Sequence, residues 1–175
     1  ICNFTIPGER PLSLAMPAPP LFAQNPAAPA VRNFDGVVST TVTVNRNLMD
    51  FYTNYPPCHW SVYAATALTA PVCGQLYPPL RAAVAGKGER EAAELLLHYL
   101  HRAFPYKTDE AQFGIERTLF AEEMYYYPYS DCEDRSILFA RLQQTLCNLR
   151  CDLYRCRRGR GDARPEAYAG PSRPD

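Results

Sequence analysis

The amino-acid sequence predicts an α+β fold, on three observations. Within residues 37–45, Val38, Val42 and Val44 fall on one face and Ser39, Thr41 and Thr43 on the other, the alternation of a half-buried strand. Residues 88–104 carry Ala93, Leu96, Leu97, Leu100 and Phe104 at helical spacing, with Glu91, Glu94, His98, His101 and Arg102 on the opposite side. Residues from 130 onward carry Leu138, Leu142 and Leu146 at four-residue intervals, a stripe widened by Ile137 and Phe139.

The elements follow in order. Residues 1–32 are rich in Pro and Ala (Pro17, Pro19, Pro20, Pro26, Pro29) without a sustained period, and read as an extended linker or the remnant of something upstream. After the strand, Asn47 can cap a short helix through Leu48, Phe51 and Tyr52, stopped by Pro56 and Pro57. Residues 60–68 are apolar but too short to assign. Pro78 and Pro79 are placed to open a helix carrying Leu80, Ala83 and Val84 and ending at Gly86. An irregular stretch, residues 105–120, leads to Glu122, Glu123 and the aromatic run Tyr125, Tyr126, Tyr127 and Tyr129.

The last helix is predicted to start at Ser130. Ser130 and Glu133 have capping-box spacing, and Asp131 and Asp134 add negative charge to the first turn. Residues 151–156 read as a further strand. From Arg157 the chain has no periodicity and little to bury, so a disordered basic tail is expected over 157–175.

Composition narrows the function. Eighteen basic and 18 acidic side chains cancel, which gives no support for a nucleic-acid or anionic-membrane binder. No apolar run approaches the length of a membrane-spanning helix. The chain begins at Ile1 rather than Met, as a fragment does, and a leader can precede it. Seven Cys is an odd count without a regular framework, so a monomer keeps at least one free thiol.

Cys132 is the strongest chemical candidate. The predicted cap puts it in the first turn of a helix, where the dipole and unpaired amides favour a thiolate. The amides of that turn can also receive an oxyanion. Asp131, Glu133 and Asp134 oppose this by charge, and a small residue packed in a helix start is the plainer reading.

Other candidates are weaker. Cys147, Cys151 and Cys156 lack a nearby His and a fourth zinc ligand. Arg160-Gly161-Asp162 is an adhesion tripeptide best ascribed to chance in an Arg/Gly-rich tail, and residues 155–160 form a basic cluster best read as solvated. His98 and His101 read as exposed helix residues, and His59, between Cys58 and Trp60, as a core or loop residue. Adjacent Glu122 and Glu123 do not face one another as an acid/base pair needs to.

The segment over residues 103–142 resembles the transglutaminase-like, papain-like superfamily of cysteine proteins, in particular bacterial members with a DCEDR-type nucleophile helix. The likeness is strongest at Tyr127-Pro128-Tyr129-Ser130-Asp131-Cys132-Glu133-Asp134-Arg135, followed by Leu138-Phe139-Ala140. It includes the stretch from Phe104 to Gly114, reaches back weakly to about Asn33, and fades after Leu142.

This resemblance implies a papain-like core in which a Cys at a helix start packs on an antiparallel sheet. It implies acyl transfer or amide hydrolysis on peptide or protein substrates through Cys132, with no cofactor or metal. It adds Gln112 as a candidate at the oxyanion site and Tyr125–Tyr129 as a groove lining, against simple aromatic packing. It favours the periplasm or cell envelope. The family's His and acid follow the Cys, whereas no His follows His101 here. The domain, residues 33–156, is therefore expected to be incomplete at its C-terminal sheet, through truncation or a frame shift, and inactive as it stands. The alternative is a non-catalytic remnant that binds peptide or protein. A truncated sheet exposes an edge, so self-association is a further expectation.

Overall fold

A computed structural model describes residue 16 and residues 18–147 of the chain. The expected strand at 151–156 and the tail from 157 lie outside the described residues, as do Cys151, Cys156 and the Arg160-Gly161-Asp162 tripeptide. Within them helix and strand are mixed, consistent with the α+β class. The order is β1 (Ala30–Phe34), β2 (Val38–Val42), α1 (Arg46–Thr53), α2 (Trp60–Ala65), α3 (Ala70–Val84), α4 (Glu89–Ala103), α5 (Asp109–Phe113), a 3-10 turn (Glu123–Tyr125) and α6 (Cys132–Leu146).

β1 and β2 pair antiparallel, with Ala30 opposite Val42 and Phe34 opposite Val38. The connection needs two residues at positive φ, which Asp35 (40°) and Gly36 (76°) supply; glycine is the residue that does this without strain. β2 keeps the predicted alternation, burying Val38, Thr40 and Val42. β1 falls partly in the stretch that reads as linker. Its inward positions are Ala30, Arg32 and Phe34, and a central Arg hides the pattern of a half-buried strand. Arg32 is accommodated because its guanidinium donates to the carbonyls of Met124 and Tyr127 (both 3.0 Å) and lies over the Phe104 ring. The chain just before β1 is also tied down: Pro26 bridges Asn45, and Ala27 N–H donates to the Val44 carbonyl (2.9 Å).

α1 starts two residues earlier than expected. Asn45, not Asn47, is the cap, and its side chain accepts from the Asn47 N–H. The unassigned stretch after Pro56 and Pro57 contains α2, capped by His59, whose Nδ1 accepts from the Ser61 N–H (3.3 Å).

The prolines of α3 do not open it. The helix begins at Ala70 and holds Pro78 and Pro79 in its interior. Neither can donate back to the carbonyls of Gly74 and Gln75, a local cost of helix continuity. Packing decides the outcome: Val72, Leu76, Tyr77 and Leu80 are buried along the helix, and α3 packs closely on β2. It ends at Val84, and Gly86, at φ 75°, lies just past that end.

α4 keeps its boundaries and its exposed face, but its buried stripe is rotated. Ala92, Leu96, Tyr99, Leu100 and Ala103 face inward, while Leu97 is 40% exposed. Tyr99 lies within the core because its hydroxyl has partners there, Thr40 Oγ1 at 2.7 Å and Tyr125 Oη at 3.0 Å. Phe120 stacks between Tyr52 (4.1 Å between centroids) and Tyr63 (4.6 Å), which ties α1 and α2 to the loop before the 3-10 turn.

Candidate active site at the start of α6

α6 begins at Cys132, and its capping box is made by Asp131 and Asp134 rather than Ser130 and Glu133. Asp131 Oδ1 accepts from the N–H groups of Glu133 (2.9 Å) and Asp134 (3.1 Å), and Asp134 Oδ2 accepts in return from the Asp131 N–H (3.1 Å). Ser130 is withdrawn from the cap by a parallel bridge with Tyr106: its N–H donates to the Pro105 carbonyl, and its carbonyl accepts from the Lys107 N–H. Cys132 is thus the first helical residue. Two of the amides on which an oxyanion could rest are occupied by the Asp131 carboxylate.

The thiol is exposed, with Sγ 3.9 Å from the Tyr106 hydroxyl. The surroundings are aromatic and cationic. Tyr106 and Tyr129 are 51% and 39% exposed, Arg135 lies over the Tyr106 ring and Lys107 over the Tyr129 ring (both 5.2 Å). Arg135 is anchored by donating to the Phe104 carbonyl (2.6 Å). Gln112 donates from Nε2 to the Tyr129 carbonyl (3.4 Å), and its buried Oε1 has no partner among the described residues.

The aromatic run divides by burial. Tyr125 is buried in the core, Tyr127 is bound to Arg117 (2.9 Å from Nη1 to the hydroxyl), and Tyr126 and Tyr129 are exposed. The other described cysteines, Cys58, Cys73 and Cys147, are half-buried, and burial raises each thiol above the usual range. His59 caps α2, His98 stacks on Phe34, and among the described residues no His hydrogen-bonds Cys132.

Sequence reasoning missed the buried charge beneath this surface. Arg117 donates to Glu123, Tyr127 and Thr53 and is covered by the Phe113 and Tyr127 rings. Glu123 also accepts from the Phe120 N–H (2.9 Å); burial outweighs the guanidinium and pushes its carboxyl up to about 7. Glu122 turns elsewhere, accepting from the Thr69 N–H at the start of α3, and burial raises it too. The two adjacent glutamates serve separate elements.

Asp109, Asp131 and Asp134 each bring a carboxylate oxygen to within 4.8 Å of the others. The spacing suits a cation, and four of the oxygens also accept backbone N–H groups: Asp109 Oδ2 from Arg117 (3.0 Å), Asp134 Oδ1 from Leu119 (2.8 Å) and Oδ2 from Asp131, and Asp131 Oδ1 from Glu133 and Asp134. The cluster serves as capping structure for α6 and for the loop after α5. A dense run of charges with no helical or strand period, residues 107–135, was the signal available for it.

Comparison of the chain with protein-family models, with curated proteins and with solved structures gives no match to any of them.

Proposed function

We propose that the chain carries the nucleophile segment of a transglutaminase-like, papain-like cysteine hydrolase or acyltransferase acting on peptide or protein amides, with Cys132 as the nucleophile. One observation carries the reading: Cys132 is the exposed cysteine among the described ones, and it is the first residue of a firmly capped helix. The DCEDR motif supports it. In this reading the thiolate attacks an amide carbonyl, a general base passes a proton to the leaving amine, and an acyl-thioester forms as the C–N bond breaks.

A second reading, non-catalytic binding of peptide or protein on the same surface, is favoured by the exposed Tyr106 and Tyr129 beside Lys107 and Arg135.

Limited alkylation with iodoacetamide, followed by mass mapping of all seven cysteines, separates them. Modification of Cys132 at low reagent excess, with a rate that follows a single ionisation and is slowed by peptide amides, supports the nucleophile. Slow, uniform labelling that peptides leave unchanged overturns it and leaves the binding reading.

A further inference from the structure

The cluster of three aspartates joins two elements that are distant in sequence. Asp109 is the first residue of α5, while Asp131 and Asp134 form the capping box of α6. The segment between them is sewn to both ends through their carboxylates: Asp109 takes the Arg117 N–H, and Asp134 takes the Leu119 N–H. Asp109 and Asp134 are 6% and 1% exposed.

Three carboxylates at this separation, two of them buried, cannot all hold a negative charge without a counter-charge. Among the described residues no Lys or Arg forms an ion pair with any of them. Arg117 feels the Asp134 charge, but its guanidinium N–H groups go to Glu123, Tyr127 and Thr53. Lys107 and Arg135, on the neighbouring bridge and on α6, lie over the Tyr129 and Tyr106 rings. The remaining facing groups, Glu116 from the loop and Glu133 from α6, add negative charge.

We propose that the buried pair Asp109 and Asp134 holds one proton beside the Asp131 carboxylate, and that this proton seals α5 and the loop after it onto the first turn of α6, making the junction a pH-sensitive latch. The direction of the individual carboxyls agrees. Burial is the main cause in both: Asp109 is pushed up to about 6 with help from Asp131, Glu116 and Glu133, and Asp134 is held well above the usual range with help from Asp131 and Asp109. When the proton leaves, repulsion falls on the N–H bonds from Arg117, Leu119 and Asp131 that hold the loop and cap. Cys132 lies at that turn, so the latch also sets how steadily the thiol is presented. The latch stands whether or not Cys132 is a nucleophile, because its readouts are stability and exchange.

The test is thermal unfolding of the chain and of Asp109→Asn between about pH 5 and about pH 7.5, with amide hydrogen exchange over residues 109–135. The unmodified chain is expected to lose roughly tenfold in folding equilibrium constant across that range, after discounting for solvent screening near the surface, and Asp109→Asn to lose clearly less. Exchange at Leu119, Asp131 and Asp134, corrected for intrinsic pH dependence, is expected to accelerate above the transition. If Asp109→Asn does not fold, carboxyl carbon NMR of the unmodified chain replaces it: a midpoint for Asp109 near 6 supports the latch, and one in the ordinary Asp range overturns it. Equal pH slopes in both chains overturn it. So does a rise in unfolding temperature on adding calcium or magnesium chloride at neutral pH, beyond that of sodium chloride at equal ionic strength, which would mean that a cation neutralises the cluster.

Discussion

The two halves of the interior are built from different materials. Around β2, α3 and α4 it is aliphatic and aromatic: Val42, Leu76, Leu80, Leu96 and Leu100 are all fully buried. Between α5 and α6 it is charged, with Asp109, Glu122, Glu123 and Asp134 buried among Leu119, Phe120 and Met124. The first half derives its stability from area removed from water, about 1.5–3 kcal/mol for each large side chain, with no dependence on protons. The second depends on every charged group finding its partner, and it holds the candidate nucleophile. The difference teaches that the surface around Cys132 is positioned by polar contacts of buried carboxylates, on a scaffold held by apolar packing.

The largest effect is expected where a buried charge is abandoned. Arg117→Ala leaves Glu123 without its guanidinium, and denaturant unfolding near neutral pH should show a loss of about 3–5 kcal/mol. The comparison breaks if the loss is under about 1 kcal/mol. In the aliphatic half, Leu100→Ala should cost about 2–5 kcal/mol by the cavity it leaves, and the same amount at acid and neutral pH. A marked pH dependence of that difference would blur the division between the halves.

Next in size is pH itself. The folded chain binds the Glu123 proton more tightly than the unfolded chain does, so stability declines as pH rises from the ordinary 4.5 to about 7. Glu123→Gln should flatten that part of the pH profile while leaving the Asp109 part, and chemical denaturation at stepped pH reads both. Asp131→Ala removes an N-cap, with an expected cost of about 1 kcal/mol and a Cys132 whose alkylation rate changes with the loosened first turn. The smallest effect belongs to the surface: Lys87→Ala breaks an exposed pair with Glu91 and should cost less than about 0.5 kcal/mol.

Much of the candidate site was legible residue by residue. The position of Cys132 in the first turn of a helix follows from the acidic, capping-competent residues before the Leu138 and Leu142 stripe, and the structure shifts it by one place because Ser130 bonds across to Tyr106. Gln112 was singled out, and its side chain reaches the Tyr129 carbonyl two residues before the cap. Arg117 was not singled out. Its partners, Thr53, Glu123 and Tyr127, lie at separations that no helix or strand period connects, and a single buried Arg has no pattern of its own.

By itself, the sequence determined what short-range physics determines: the alternation of β2, the span of α4, the stop at Gly86 and the capped start of α6. Each depends on residues within a turn or two of one another, where side-chain period and cap chemistry are decisive. The tertiary structure decided the rest. It made a strand of Ala30–Phe34 by giving Arg32 two carbonyls and a ring to rest on, and it carried α3 through Pro78 and Pro79 by packing that helix on β2. It also turned three separate aspartates into one cluster. Burial and charge pairing act between residues far apart in the chain, and they override local preference wherever the energy they supply is larger.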